Sequence, residues 1–413
     1  MAATTVSLAQ LLSSPVVTRV ISQVQGPNTR LQDFFGLGPG GNNADPVGGH
    51  VASYDIFNKT RGIAKGRPPG TGPASIAPQR VGQVPVTIYR AHEKMTLLDE
   101  RIFRIRPLGQ GYGQVDGRGQ QYITNQEAHM AQRIKNNREF MVSRMLRGGF
   151  DLSLVGEDFL PVNHGSGDIK VNYLGPLVSG TIGSAACVFE HSDQIDYGDP
   201  TVGRGNLPIG SIAPCITLAW MVNTAADIIG DLLKINAGFE EVHGYPLRHV
   251  WLNSTTMSAI MQVNVGLKAV AGTANTVFNE FRPFGSDPKT AFEVVLKAVP
   301  WLTWHVYDGG LNVNPAQGKA EIIPPGGTTV GFEKFFPDKF CAFMPDPSAD
   351  WVQGLEGSEI VRENQLDQGA ERFGMHAWTT PVIDPAGHEL KIVDNWIPAL
   401  YIPRCIAYSK VAA

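Results

Sequence analysis

The residue patterns that could carry chemistry are few and incomplete. Gly109-Gln110-Gly111-Tyr112-Gly113 resembles part of a nucleotide-binding turn. A phosphate needs such a turn to follow a strand and to open a helix, because it binds on the helix N-terminus. The flanking sequence offers neither. Cys187, Cys215, Cys341 and Cys405 lie far apart, with no C-x-x-C spacing and no local histidine pairing. They read as buried reduced thiols and not as a zinc site. The ten histidines show no ligand spacing. His243 and His249 are separated by Gly244 and Pro246, which break any continuous helical face, and His191 runs into the loop-like Gln194-Ile195-Asp196. No G-x-S-x-G elbow, Walker A or H-E-x-x-H motif occurs. Active sites without a local signature exist, so an α+β enzyme stays an alternative. The expectation is nevertheless of no catalytic residues, no metal and no cofactor.

The pattern that stands out is electrostatic. Ile56 to His92 contains no acidic residue, while Lys59, Arg61, Lys65, Arg67, Arg80 and Arg90 fall within it. Strand-like stretches at Val51–Asn58 and Val81–Tyr89 flank a Gly-, Pro- and Ala-rich stretch, Thr60–Pro78. Together they predict an extended β-hairpin with a basic tip. A two-stranded hairpin is marginal by itself, so it needs another surface, unless the segment is simply a solvated basic loop. A second basic group, Arg133, Lys135 and Arg138, flanks a predicted helix at Thr124–Leu146. Thr124 or Asn125 would cap that helix, and Gly148-Gly149 would stop it. Such a flank could line a DNA-filled interior, although an amphipathic helix covering a sheet shows the same pattern.

The remaining elements position these two. The chain has 413 residues, 43% of them hydrophobic, which exceeds what one core usually organises and predicts two domains or one with large excursions. The first 46 residues read as an arm ending in a Gly/Asn/Pro-rich stretch, with Phe34 and Phe35 as an apolar anchor that needs a surface to bury against. Met1–Val24 has no basic cluster or cleavage site, so no secretory leader is expected. No apolar run reaches bilayer length. The formal net charge of -4 does not announce nucleic-acid binding. Short strands are expected at Phe159–Val162 and Ile169–Asn172. Between Leu207 and Pro345 helices and strands alternate, with a strand at His249–Leu252, an Asn253 cap, and a strand at Trp301–Tyr307. Strands return at Phe340–Met344, His376–Val382, Glu389–Asn395 and Ile397–Tyr408. This β-rich tail can supply a sheet for the Thr124–Leu146 helix to cover.

The order of these parts resembles the major capsid proteins of tailed double-stranded DNA phages, and more closely the lambda-like major capsid protein E family. The likeness lies in short segments: Arg30-Leu31-Gln32-Asp33-Phe34-Phe35; Pro85–Leu98 with His92-Glu93-Lys94-Met95-Thr96-Leu97; the Thr124–Leu146 helix followed by Gly149-Phe150-Asp151; Leu247–Met261; Trp304–Val313; Ala320–Phe332; Ala377–Thr380; and Asp394–Tyr401. The departures are the long basic loop and the linker Glu190–Asn206. The resemblance implies an α+β fold of the Hong Kong 97 type: arm (1–46), extended loop (47–95), peripheral domain with a spine helix (96–206 and 338–413) and axial domain (207–337). It implies a non-enzymatic subunit that packs as hexamers and pentamers into an icosahedral virion shell around the genome, assembled in the host cytoplasm. Its implied partners are other copies of itself, a scaffolding protein, a portal, packaged DNA and, optionally, a decoration protein, with no membrane. Lys59, Arg61, Lys65, Arg67 and Arg80 would make intersubunit contacts. Some related capsids cross-link through a lysine in this loop; Lys59 and Lys65 stand there, but no cross-link is expected. An encapsulin-like nanocompartment of the same fold is the alternative.

Overall fold

The computed structural model describes residues 29–39, 41–57, 81–98, 117–146, 149–155, 158–163, 169–172, 220, 228–242, 245–262, 299–314, 319–320, 332–361, 369–383, 386–402 and 405–410. The chain forms two compact units, Met1–Tyr54 with Pro85–Val142 and Val352–Ala399, and Asp55–Val84 with Ser143–Trp351 and Leu400–Ala413.

The first unit is a helix laid on a mixed sheet. Its strands are β1 (Ala44–Val47), β4 (Tyr89–Leu98), β14 (Val352–Val361), β15 (Ala370–Val382) and β16 (Gly387–Leu400), in the order β1-β14-β15-β16-β4. β16 is an interior strand, and Ile392 to Leu400 is buried without a break, as expected where both faces of a strand are covered. The edge strand β4 alternates, exposing Arg90, His92 and Lys94, and the two cations among them are of the kind that protect a free edge from unwanted pairing. Across the sheet runs α2 (Gly117–Leu146), a helix of 30 residues. Its Ile123, Met130, Ala131 and Ile134 share one core with Leu97, Ala377, Leu390 and Ile392.

The sequence placed the start of α2 at Thr124 or Asn125. The helix instead begins at Gly117, so both residues lie inside it and neither caps it. The extension is held by packing: Ile123 belongs to the core and Tyr122 lies against it, which outweighs the poor helix propensity of Gly117 and Gly119. β14 had no sequence signal because glycines interrupt its apolar pattern. Gly354 is required by space, since a Cβ there would sit 2.4 Å from the Trp396 indole nitrogen.

The hairpin is present as β2 (Val51–Phe57) and β3 (Val81–Thr87), which pair only with each other among the described residues. Ala52 and Tyr54 are buried while Val51, Ser53 and Asp55 are exposed, so the ribbon has one wet face.

The second unit contains a four-stranded sheet, β17 (Ala407–Lys410), β13 (Phe340–Met344), β8 (His249–Leu252) and β9 (Thr303–Val306), in that order. β13 and β17 were expected among the tail strands of the peripheral domain. β13 pairs with β17 on one edge and with β8 on the other, and all three lie in this unit. Asn253 caps α4 (Ser254–Gln262) as expected: its Oδ1 accepts the Thr256 amide hydrogen at 2.8 Å. The helix α3 (Ile228–Val242) packs with Trp220, whose indole donates to Asp231. β5 (Gly149–Val155), β6 (Asp158–Asn163) and β7 (Ile169–Asn172) form a separate sheet, as do β10 (Gly310–Asn314), β11 (Lys319–Ala320) and β12 (Phe332–Lys334). No described helix is long and apolar enough to cross a membrane.

Candidate functional site: arm dock and ribbon base

Within the expected arm lies a short helix, α1 (Arg30–Phe35), which turns out through Gly36 in the left-handed region at φ 66°. The Leu37 amide closes the turn by donating to the Gln32 carbonyl at 2.8 Å, and Asn43 Nδ2 donates to the Phe35 carbonyl. Leu31, Phe35 and Leu37 are fully or almost fully buried. Phe34 is only half-buried and meets Phe35 edge-on at 4.9 Å between ring centroids. The anchor expected at Phe34 and Phe35 is thus Phe35, with Leu31 and Leu37 added; the latter two followed from no aromatic signal.

The N-terminus of α1 is fixed by a residue more than a hundred positions away. The Glu139 carboxylate, buried on α2, accepts the Leu31 and Gln32 amide hydrogens at 2.7 and 3.0 Å. These are orphan donors of a helix start, and an anion there also suits the helix dipole. Gln32 Nε2 donates to the same carboxylate and to the Lys135 carbonyl.

One turn away Arg138 is fully buried. Its guanidinium makes a forked pair with Asp394 on β16, at 2.7 and 2.5 Å, donates to the Leu37 carbonyl, and lies 3.6 Å from Glu356. It also stacks over Trp396 at 4.9 Å. Burial alone would lower the pKa of Arg138, but the Asp394 and Glu356 carboxylates hold it above the usual value. Burial raises the pKa of Glu356, and Arg138 offsets part of that. This is a desolvated charge cluster whose members need one another.

The predicted basic flank of α2 is therefore corrected. Arg138 and Lys135 are buried, and Arg133 is paired with Glu93 at 2.8 Å. Burial and the nearby Arg138 lower the pKa of Lys135. Arg133 and Arg138 tie the sheet to the helix, and Arg138 also holds the arm at the Leu37 carbonyl. Arg138 and Glu139 lie inside the packed face of the helix.

At the ribbon base, the Gly49 amide donates to Ser358 Oγ and the Ile88 amide to the His50 carbonyl. Three apolar side chains on the strands involved are exposed: Val51 (70%) on β2, Ile360 (73%) on β14 and Phe373 (40%) on β15. Phe373 stands opposite Ser358 in the β14–β15 ladder. Arg90, at the foot of the ribbon, pairs with Glu359. Lys59, Arg61, Lys65, Arg67 and Arg80 lie outside the described residues. Among the described residues no group of His, Cys, Asp and Glu is arranged to hold a metal ion.

No protein-family model matches the chain, and no curated protein matches it. Several solved structures are similar. A putative prophage capsid protein from E. coli CFT073 is 12% identical, with 99% of this chain and 100% of that chain covered and a TM-score of 0.47. A phage-related protein from Bordetella bronchiseptica RB50 is 12% identical, with 97% of each chain covered and a TM-score of 0.44. The holo-SrpI encapsulin complex from Synechococcus elongatus PCC 7942 is 8% identical, with 94% and 89% covered and a TM-score of 0.37.

Proposed function

We propose that this chain is the major capsid protein of a tailed double-stranded DNA phage: a shell subunit with the Hong Kong 97-type arrangement that assembles as hexamers and pentamers around the genome. The observation that carries the reading is the ribbon. β2 and β3 pair with no third described strand, and Val51 at the start of β2 is 70% exposed. A two-stranded ribbon with one face still wet gains from a neighbour that covers it. The acid-free sequence between the strands adds a charge that a neighbour's acidic surface would complement.

In this reading the arm dock sets the ribbon's starting point and the long helix stiffens the body beneath it. Lys59, Arg61, Lys65, Arg67 and Arg80 orient the tip on an adjacent copy. Each contact is weak, and symmetry multiplies them over a closed shell. The role is structural and not enzymatic. The place of action is the virion, the packaged DNA is held without sequence preference, and scaffold, portal and decoration proteins are the expected partners.

The test is charge reversal. A subunit carrying Arg61→Glu, Lys65→Glu and Arg67→Glu should fold, as judged by circular dichroism, yet fail to form shells in negative-stain images. Normal shells from that variant would remove the ribbon from the assembly mechanism.

A further inference from the structure

The second unit holds a chain of titratable groups unrelated to the arm or the ribbon. His249 on β8 and His305 on β9 face each other, with Nδ1 of the first 3.0 Å from Nε2 of the second. His249 Nε2 lies 2.9 Å from Asp346 Oδ1. Asp346 follows β13 and starts the connection that leads to β14. The strands are parallel neighbours in which His249 stands opposite Thr303 and Trp251 opposite His305. His305 is held flat on the buried Trp251, at 4.3 Å between ring centroids and 14° between planes. The Asp346 carbonyl also accepts the Trp351 indole hydrogen at 3.0 Å.

We propose that Asp346, His249 and His305 form a proton-counting latch that fixes the connection after β13 to β8 and opens when both imidazoles are protonated. The argument is one of donors and acceptors. With both rings neutral, His305 donates from Nε2 to His249 Nδ1, and His249 donates from Nε2 to the Asp346 carboxylate. With one added proton, His249 donates in both directions and His305 accepts through Nε2, carrying its own hydrogen on Nδ1. The latch survives and its bond to Asp346 becomes charge-assisted. A second proton leaves an N–H facing an N–H at the shared contact, and two like charges on adjacent rings.

The charged and titratable groups facing the pair come from three elements. Arg248 lies just before β8, 4.0 Å from Asp346 Oδ2; His305 is on β9; Asp346 lies beyond β13. Arg248 adds positive charge, so at the described contacts the Asp346 carboxylate faces an arginine and two imidazolium rings. His305 is retained by its stack on Trp251, which a cationic ring strengthens. The ring that must move is His249, and with it the hold on Asp346.

The latch is independent of the shell reading, and its test needs only the folded subunit. Hydrogen exchange of a peptide spanning 345–351, corrected for the intrinsic effect of pH, should show protection falling about tenfold between pH 7 and pH 5. A peptide from β16 should not follow. His305→Phe keeps a ring on Trp251 and removes the facing nitrogen, so the pH step should disappear. Asp346→Ala, which removes the acceptor, should show low protection at both pH values. An unchanged step in His305→Phe, or no step in the natural protein, overturns the proposal. If His305→Phe fails to fold, imidazole nitrogen spectra of the natural chain decide: a shared N–H···N signal that persists through both protonations refutes it.

Discussion

Replacing Arg138 with Met tests the arm dock most sharply. The substitution keeps an unbranched apolar stem and removes the guanidinium. Lost with it are the forked contacts to Asp394, the hydrogen bond to the Leu37 carbonyl and the stack over Trp396. What remains is a carboxylate on β16 with 3% of its side chain exposed and a second, Glu356, at 14%. Leaving a buried carboxylate unpaired costs about 3–5 kcal/mol, far more than the roughly 1 kcal/mol of one neutral hydrogen bond. Glu356 can shed part of its share by taking up a proton, since burial already raises its pKa. The main cost falls on Asp394. The double variant Arg138→Met, Asp394→Leu removes both charges and should recover most of the loss, returning to within about 2 kcal/mol of the natural chain. Because the chain has two units, the assay is hydrogen exchange in urea, read on peptides from α1, α2 and β16 rather than as one global transition. A single variant costing under about 1 kcal/mol, or a double variant as unstable as the single one, would refute the account of the charge cluster.

Other substitutions separate the remaining contributions. Glu139→Gln keeps one acceptor but turns an amide NH2 toward the Leu31 and Gln32 hydrogens; opening of α1 should become easier by about 1.5–3 kcal/mol, seen as faster exchange of residues 31–37. Glu127, buried on α2 with one carboxylate oxygen unpartnered, is raised by burial from 4.5 to about 7. Stability held by its neutral form is full below pH 4.5 and lost as pH rises to about 7. Glu127→Gln should therefore match the natural chain at pH 4 and exceed it by about 3 kcal/mol at pH 8 in urea titrations of the first unit. Gly354→Ala places a methyl against the Trp396 indole and should destabilise the sheet by about 1–3 kcal/mol, measured as an earlier thermal transition.

Several parts of the fold were legible because their signals are local. The periodicity from Met130 to Met145 marks the long helix, alternation marks β2 and β3, and Asn253 marks a helix start. Signals that depend on distant partners were not legible. Arg138 was recognised as a cation on α2, but its partner Asp394 lies 256 residues away, so the sequence offered a basic flank where the fold has a buried pair. Glu139 gave no signal at all, because capping normally comes from within a few residues and here it reaches α1 from 107 or 108 residues away. The same holds for His249 and His305, 56 residues apart, which a search for ligand spacing does not join. β14 was missed for a different reason. Gly354 and Gly357 thin its apolar pattern, and their absent side chains leave room for Trp396 and Ile88.

The central claim is that the ribbon and arm belong to a subunit that closes into a shell. Negative-stain microscopy of the purified natural chain, paired with sedimentation velocity, tests it most directly. The account predicts closed, icosahedral particles of uniform size; a stable monomer under all assembly conditions, with the ribbon protected from protease in that monomer, would contradict it.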